Sequence, residues 1–203
     1  RLAAELEEQA AEARGFEDKL DITRRWTGQR RFQVGAQLLT RKVDAEAAAR
    51  SFSAIADAVL AAMQRFVAAE FTRQHGTIGG GAMIVIGMGK LGAHEMTFTS
   101  DLDLIFVYDH DPHAGDSNGP RSLPPSHYFA RLSQRVINGL TVATAEGPLY
   151  DVDMRLRPSG NKGPVAVHVE GFDRYQRETA WTWEHMALTR ARTIAGPKAL
   201  RQR

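Results

Sequence analysis

The sequence predicts an α+β fold: a small mixed sheet preceded and followed by helical segments. Two changes of texture predict it. Residues 16–74 carry helix formers with only two glycines, Gly28 and Gly35, whereas from residue 82 the chain breaks into short Ile- and Val-rich runs bounded by Gly, Ser, Asp and Pro. The resulting division is a helical N-terminal segment over 1–80, a core over 81–165 and the start of a C-terminal helical region over 166–203. Beginning without Met and stopping in Lys198-Ala-Leu-Arg-Gln-Arg203, the chain is expected to be a piece of a longer protein.

Residues 2–14 are Ala-, Glu- and Leu-rich and predict the first helix. Further on, Phe52, Ile55, Val59, Leu60, Met63, Phe66 and Val67 recur at three and four, the spacing of one buried helix face. Gly76 and Gly79-Gly-Gly81 end the helical block. Ala82-Met-Ile-Val-Ile-Gly87 predicts a buried strand running into a glycine turn, and Leu104-Ile-Phe-Val-Tyr108 a second strand. Residues 109–125, polar and broken by Gly and Pro, predict an exposed, mobile insertion. Ser126 is expected to cap a helix whose apolar period continues through Phe129, Leu132, Val136, Ile137 and Leu140. Residues 150–158 alternate apolar and charged and predict a strand with one wet face. Residues 169–194 are expected to be helical, with Trp181 and Trp183 packed in the core.

The 203 residues contain 26 Lys+Arg against 24 Asp+Glu, a balance that gives no reason to expect a nucleic-acid or membrane partner. The absence of cysteine rules out disulfides and thiolate zinc sites within this sequence. No apolar run is expected to approach the roughly 20 residues that span a bilayer, and the expected location is cytoplasmic.

Gly87-Met-Gly-Lys-Leu-Gly92 spells a dinucleotide fingerprint, yet the interval to the next strand is short for the helix of such a unit and no second unit follows. Gly89-Lys90 is no P-loop either, since Leu91 stands where Ser or Thr is required. More informative is Ser100-Asp-Leu-Asp103. Two acids two residues apart on a strand share a face, roughly 6.5 to 7 Å apart; that face continues as Ile105 and Val107, while Leu102, Leu104, Phe106 and Tyr108 form the other. Paired carboxylates beside a core need neutralising, and Mg²⁺, which takes oxygen ligands and shares its shell with nucleotide phosphate, would do so. Asp153, with Arg155 and Arg157 on the same face of the predicted third strand, could add a carboxylate and two cations to this pocket. Three acids on two strands, a glycine turn able to approach a phosphate and nearby arginines predict a metal-dependent nucleotide site.

In order along the chain, Gly87-Met-Gly-Lys-Leu-Gly92, Phe98-Thr-Ser-Asp-Leu-Asp103, Tyr150-Asp-Val-Asp-Met-Arg-Leu-Arg-Pro-Ser-Gly160 and Trp181-Thr-Trp-Glu-His185 resemble the glutamine synthetase adenylyltransferases. That resemblance implies a polymerase β-like nucleotidyltransferase core. It implies an enzyme that transfers AMP from ATP to a tyrosine of glutamine synthetase with Mg²⁺ or Mn²⁺, under a PII-type signalling protein and glutamine as regulators of the full-length protein. Arg157-Pro-Ser-Gly160 and Trp181–His185 point to the C-terminal, adenylylating domain of that family. Carried over by position, Asp101 and Asp103 match the metal-binding pair and Asp153 the third carboxylate, all three catalytic. Gly87, Gly89, Lys90, Ser100, Arg155 and Arg157 are the candidate nucleotide contacts, with Ser100 equally read as a turn cap and the arginines equally as charge compensation. Asp151 stands where the family often has Glu. The alternatives are a phosphorolytic deadenylylase, for which the same acids would serve, and a non-catalytic interaction fragment.

Overall fold

A computed structural model describes residues 1–201. Three helices come first: α1 (Leu2–Ala11), α2 (Phe16–Leu39) and α3 (Ala45–His75). Asp44 starts α3 by accepting the Ala47 amide at 2.7 Å, which satisfies one of the donors a helix N-terminus leaves unpaired. The apolar stripe of α3 is buried as its spacing predicts, with Ile55, Val59, Leu60, Met63 and Val67 all at 2% exposure or less. Over 45–75 this helix is long and apolar enough to cross a membrane by length and composition, a stretch the expectation overlooked; 61% of its most apolar window is buried inside the fold.

The sheet is mixed, with β3 (Val152–Asp153), β2 (Leu102–Asp109), β1 (Ala82–Gly87) and β5 (Arg192–Ala195) side by side in that order and β4 (Ala166–His168) also on β2. Strands β1 and β2 pair antiparallel, Ala82 opposite Asp109 and Gly87 opposite Leu104. β3 and β4 pair parallel with β2, while β5 is antiparallel to β1. Alternation along β2 divides the interior in two. Leu102, Leu104, Phe106 and Tyr108 face the main core of α3 and α5 (Pro125–Thr141). Ile105 and Val107 face a smaller one, with Met88 and Ile84, covered by α6 (Val169–Glu178), α7 (Thr182–Leu188) and α8 (Lys198–Arg201). The class is α+β, as expected.

Two polar side chains tie the layers together. Gln64 of α3 donates to the Met83 carbonyl of β1 at 2.8 Å. Buried Arg24 of α2 donates to the carbonyls of Val142 at 2.7 Å and Gly147 at 2.8 Å, covering acceptors that the end of α5 leaves open; burial lowers its pKa, against the pull of Asp21.

Several expectations need correction. The loop over 109–124 is largely exposed but pinned: Asn118 accepts the Thr77 amide at 2.8 Å, and the Gly119 and Arg121 amides donate to His75 and Gln74 carbonyls at the end of α3. Ser126 is not the cap of α5, because Pro125 takes the first helical position, where its missing N–H costs nothing. The strand expected over 150–158 stops at Asp153, because the Asp153 carboxylate accepts the Arg155 amide at 2.8 Å and turns the chain. The region expected to be helical over 169–194 ends in β5, whose residues complete the sheet beside β1. Trp181 and Trp183 lie outside the core, 72% and 55% exposed, because α7 contacts the second core through Ala187 and Leu188 instead.

Candidate active site

Strand β1 carries the chain into the glycine turn, and the turn is tied to the acid strand. The Met88 amide donates to the Asp103 carbonyl at 2.9 Å, and Gly89-Lys-Leu-Gly92 forms the single helical turn α4. Gly89 has φ +52°, and a Cβ there would overlap the Asp103 carboxylate oxygen Oδ2. Only a residue without a side chain lets turn and carboxylate approach so closely. At Gly92 the obstacle is backbone: a Cβ would run into the Arg190 carbonyl leading to β5. The spacing that imitates a dinucleotide fingerprint therefore serves close packing of the turn against β2 and the β5 approach.

Asp101 immediately precedes β2 and Asp103 is its second residue. The Leu102 amide donates to the Asp151 carbonyl at 2.9 Å, and the parallel register puts Leu102 beside Val152 and Asp103 beside Asp153. Neighbours in register project to the same side of a sheet, so the two short stretches converge their acids. One carboxylate oxygen from each of Asp101, Asp103 and Asp153 lies within 4.8 Å of the others. Asp101 is exposed, the other two half-buried.

Their electrostatics differ. Burial raises the Asp103 pKa, and the negative charges of Asp101 and Asp153 raise it further, with Arg155 and Lys90 pulling back. Asp153 is lowered, first by the hydrogen bond from Arg155. Arg155 donates from Nε at 2.7 Å and approaches with Nη2 at 2.5 Å to the same carboxylate oxygen, while its side chain stays three-quarters exposed. Its own pKa is raised by that hydrogen bond. A cluster of three acids whose nearest cation, Arg155, is largely solvated is short of positive charge.

The other sequence-predicted residues divide. Lys90 is exposed on the turn, near enough to act on Asp103. Gly87 is the last residue of β1, packed beside Leu91 and Ile194. Ser100 is buried and caps its own turn: its hydroxyl accepts the Thr97 amide at 3.0 Å. Arg157 does not share a strand face with Asp153 and Arg155; it is buried, donating to the Met154 carbonyl at 2.7 Å and towards Gly163 at 3.4 Å. Asp151 is exposed and contributes its carbonyl to the register.

Residues that brace this site escaped the sequence reading. Arg192 makes a two-pronged pair with Asp57 of α3 at 2.8 and 2.9 Å and also donates to the Leu91 carbonyl at 3.1 Å, fastening helix, glycine turn and β5 together. Arg31 of α2 lies over the rings of Phe98 at 4.7 Å and Tyr150 at 5.1 Å and donates to the carbonyls of Phe98 and Leu149. It thereby links the approaches to both acid-bearing strands. Asp57 and Arg192 are 135 positions apart, and no local spacing signals such a pair.

Comparison with known proteins gives this arrangement a family. The bifunctional glutamine synthetase adenylyltransferase/adenylyl-removing enzyme of Mesorhizobium japonicum is 51% identical over 187 residues, 92% of this chain and 19% of that protein. Its counterpart in Agrobacterium fabrum is 52% identical over 188 residues, 93% of this chain and 19% of that protein. The Bradyrhizobium sp. (strain ORS 278) counterpart is 47% identical over all 203 residues, 20% of its length. The chain thus spans about a fifth of these relatives. With the family model for glutamate-ammonia ligase adenylyltransferase matching residues 1–203 end to end, the chain that folds its three acids onto two neighbouring strands belongs to the glutamate-ammonia ligase adenylyltransferase family.

Proposed function

We propose that this region transfers AMP from ATP to a tyrosine hydroxyl of glutamine synthetase, using a divalent cation held by Asp101, Asp103 and Asp153. The observation that carries the reading is the convergence of three carboxylates within 4.8 Å beside a glycine turn. The donor set fits Mg²⁺ or Mn²⁺: it is all oxygen, and burial and like charge make the ionised form of Asp103 costly until positive charge arrives. A bound cation would supply charge neutralisation on the phosphate oxygens.

The chain's residues then have distinct tasks. Asp101 and Asp103 would hold the cation together with the triphosphate. The turn at Gly89 brings backbone close to the phosphates, and exposed Lys90 adds a positive charge there. Asp153, kept ionised by Arg155, takes the phenolic proton as the tyrosine oxygen bonds to the α-phosphorus and the bond to pyrophosphate breaks. Arg155, solvated and hydrogen-bonded to Asp153, would keep that carboxylate ionised while lying within reach of a phosphate. Positioning and charge carry the reaction, and no covalent intermediate with the protein is needed.

The adenylylating direction rests on Arg157-Pro-Ser-Gly160 and Trp181–His185, and regulation by a PII-type protein and glutamine would belong to the longer protein. The test is label transfer from α-labelled ATP to purified unmodified glutamine synthetase, run beside release of label from the modified enzyme by phosphate. Transfer that needs Mg²⁺ and vanishes in Asp101→Ala and Asp103→Ala variants is expected. Release by phosphate without forward transfer would reverse the direction, and transfer unaffected by either substitution would end the reading.

A further inference from the structure

An apolar groove of about 740 Å³ opens between α2 and α3 and is floored by Met96–Thr99. Its walls are two matching helical stripes. On α2, Phe32, Gly35, Ala36 and Leu39 stand at i, i+3, i+4 and i+7, and on α3 the same spacing runs from Ala45 to Phe52. Each stripe has small residues in the middle and a phenylalanine at one end, so a third chain segment could approach both backbones closely. Phe32 is 75% exposed, Leu39 86% and Phe98 51%, and no charged residue lines the groove. Ala48, Phe52 and Met96 at the base of the groove belong to the main core, whereas Phe32 and Leu39 at its rim, on the side of α2 away from Trp26 and Val34, are left to solvent among the described residues.

Two neighbours say what should cover it. The floor runs through Thr99 and Ser100 into Asp101, and two residues of chain span at most about 7 Å, so the groove ends at the mouth of the acid cluster. At the other end, Arg41 and Lys42 in the α2–α3 connection are exposed and form no ion pair among the described residues, whereas Asp44 caps α3 and Glu46 pairs with Arg50.

We infer that this groove docks the acceptor protein, taking an apolar, preferably helical segment flanked by acidic residues that lies beside the tyrosine to be modified. The inference rests on the AMP-transfer reading for its choice of partner. The acceptor must hold its phenol at the acid cluster, within reach of Asp153, while anchoring elsewhere, and the groove offers the adjoining apolar anchor with basic residues at its far end.

Binding and transfer should be measured separately in the full-length protein carrying this region. Leu39→Glu, at a highly exposed position, is expected to raise the Kd for unmodified glutamine synthetase at least tenfold in a label-free binding assay. Its KM for the acceptor should rise similarly, with the KM for ATP and the melting temperature unchanged; Leu39→Met should behave as wild type. Arg41→Glu with Lys42→Glu should weaken binding at low salt and much less at high salt. An unchanged acceptor Kd in Leu39→Glu overturns the inference, as does a parallel rise in the KM for ATP. A loss of stability or a change in oligomeric size without a change in Kd also overturns it, assigning the groove to another segment or a second copy. If the wild type binds the acceptor through Leu39 yet transfers no label, the catalytic reading fails while the docking inference stands.

Discussion

Replacing Gly89 by Ala tests whether the carboxylate cluster depends on the shape of the glycine turn. The perturbation has two parts that different measurements separate. Gly89 sits at φ +52°, where a residue with a Cβ is disfavoured by roughly 1–2 kcal/mol. At about 2–4 °C per kcal/mol for a folding unit of this size, the melting temperature should fall by roughly 2–8 °C. The new methyl would also overlap Oδ2 of Asp103, so the carboxylate must swing away or the turn must shift. A displacement near 1 Å at a reacting centre costs about 10²-fold in rate. Initial rates of AMP transfer at saturating ATP and acceptor, measured well below the melting transition, should therefore drop far more than the loss of folded protein accounts for. Gly28→Ala is the companion: nothing lies within 4 Å of a Cβ there, and in an exposed helix interior the change should stabilise by about 0.5–1 kcal/mol and leave the rate alone. A Gly89→Ala protein that transfers AMP at the wild-type rate would show that Asp103 need not sit against the turn.

Three further outcomes follow from the same geometry. Asp103 has a raised pKa, so its contribution to stability is full below the unfolded-state pKa and lost as pH rises through the folded one; Asp103→Asn should melt higher than wild type at neutral pH in chelator, the gain shrinking on acidification, while AMP transfer and stabilisation by Mg²⁺ both disappear. Asp57→Ala and Arg192→Ala should each destabilise by about 1–3 kcal/mol, because each leaves half of a partly buried, two-pronged pair unpaired. The double variant should cost clearly less than the sum, as a double-mutant cycle by denaturant unfolding would measure, and strict additivity would rule out the pair as a coupled brace. Gly92→Ala pushes a methyl into the Arg190 backbone carbonyl, which cannot rotate away as a side chain can; calorimetry should show a larger loss of stability than for Gly89→Ala.

How much of this was legible in the sequence depended on how local the cause was. The period of α3 and the two-faced pattern of β2 are written in consecutive residues, and both stand in the structure. The pairing of Asp101 with Asp103 followed from the strand repeat, and the place of Asp153 from the alternation of the charged third strand and from the motif resemblance; the structure brings all three together. Arg157 went astray because alternation was extended past Asp153, where a side chain to backbone hydrogen bond ends the strand. β5 was hidden because Arg192–Ala195 is only four residues long and becomes a strand by pairing with β1, far away in sequence. Trp181 and Trp183 misled for a different reason. Size and aromaticity argue for burial, but which side of a seven-residue helix meets the sheet is decided by the neighbours, and here Ala187 and Leu188 meet it.

The third acid rides on the slightest strand in the sheet. β3 is two residues long, held to β2 over a brief parallel register and followed at once by a turn. Ordinarily so short an attachment frays, yet two of the three clustered acids, Asp103 and Asp153, face each other across it. On the proposal that Asp101, Asp103 and Asp153 hold a divalent cation, its loading and the fastening of the 150–163 stretch are one thermodynamic event, each favouring the other by the same free energy. Amide hydrogen exchange at Val152 and its neighbours should then slow in proportion to cation occupancy, making this seam a built-in gauge of whether the acid cluster is loaded.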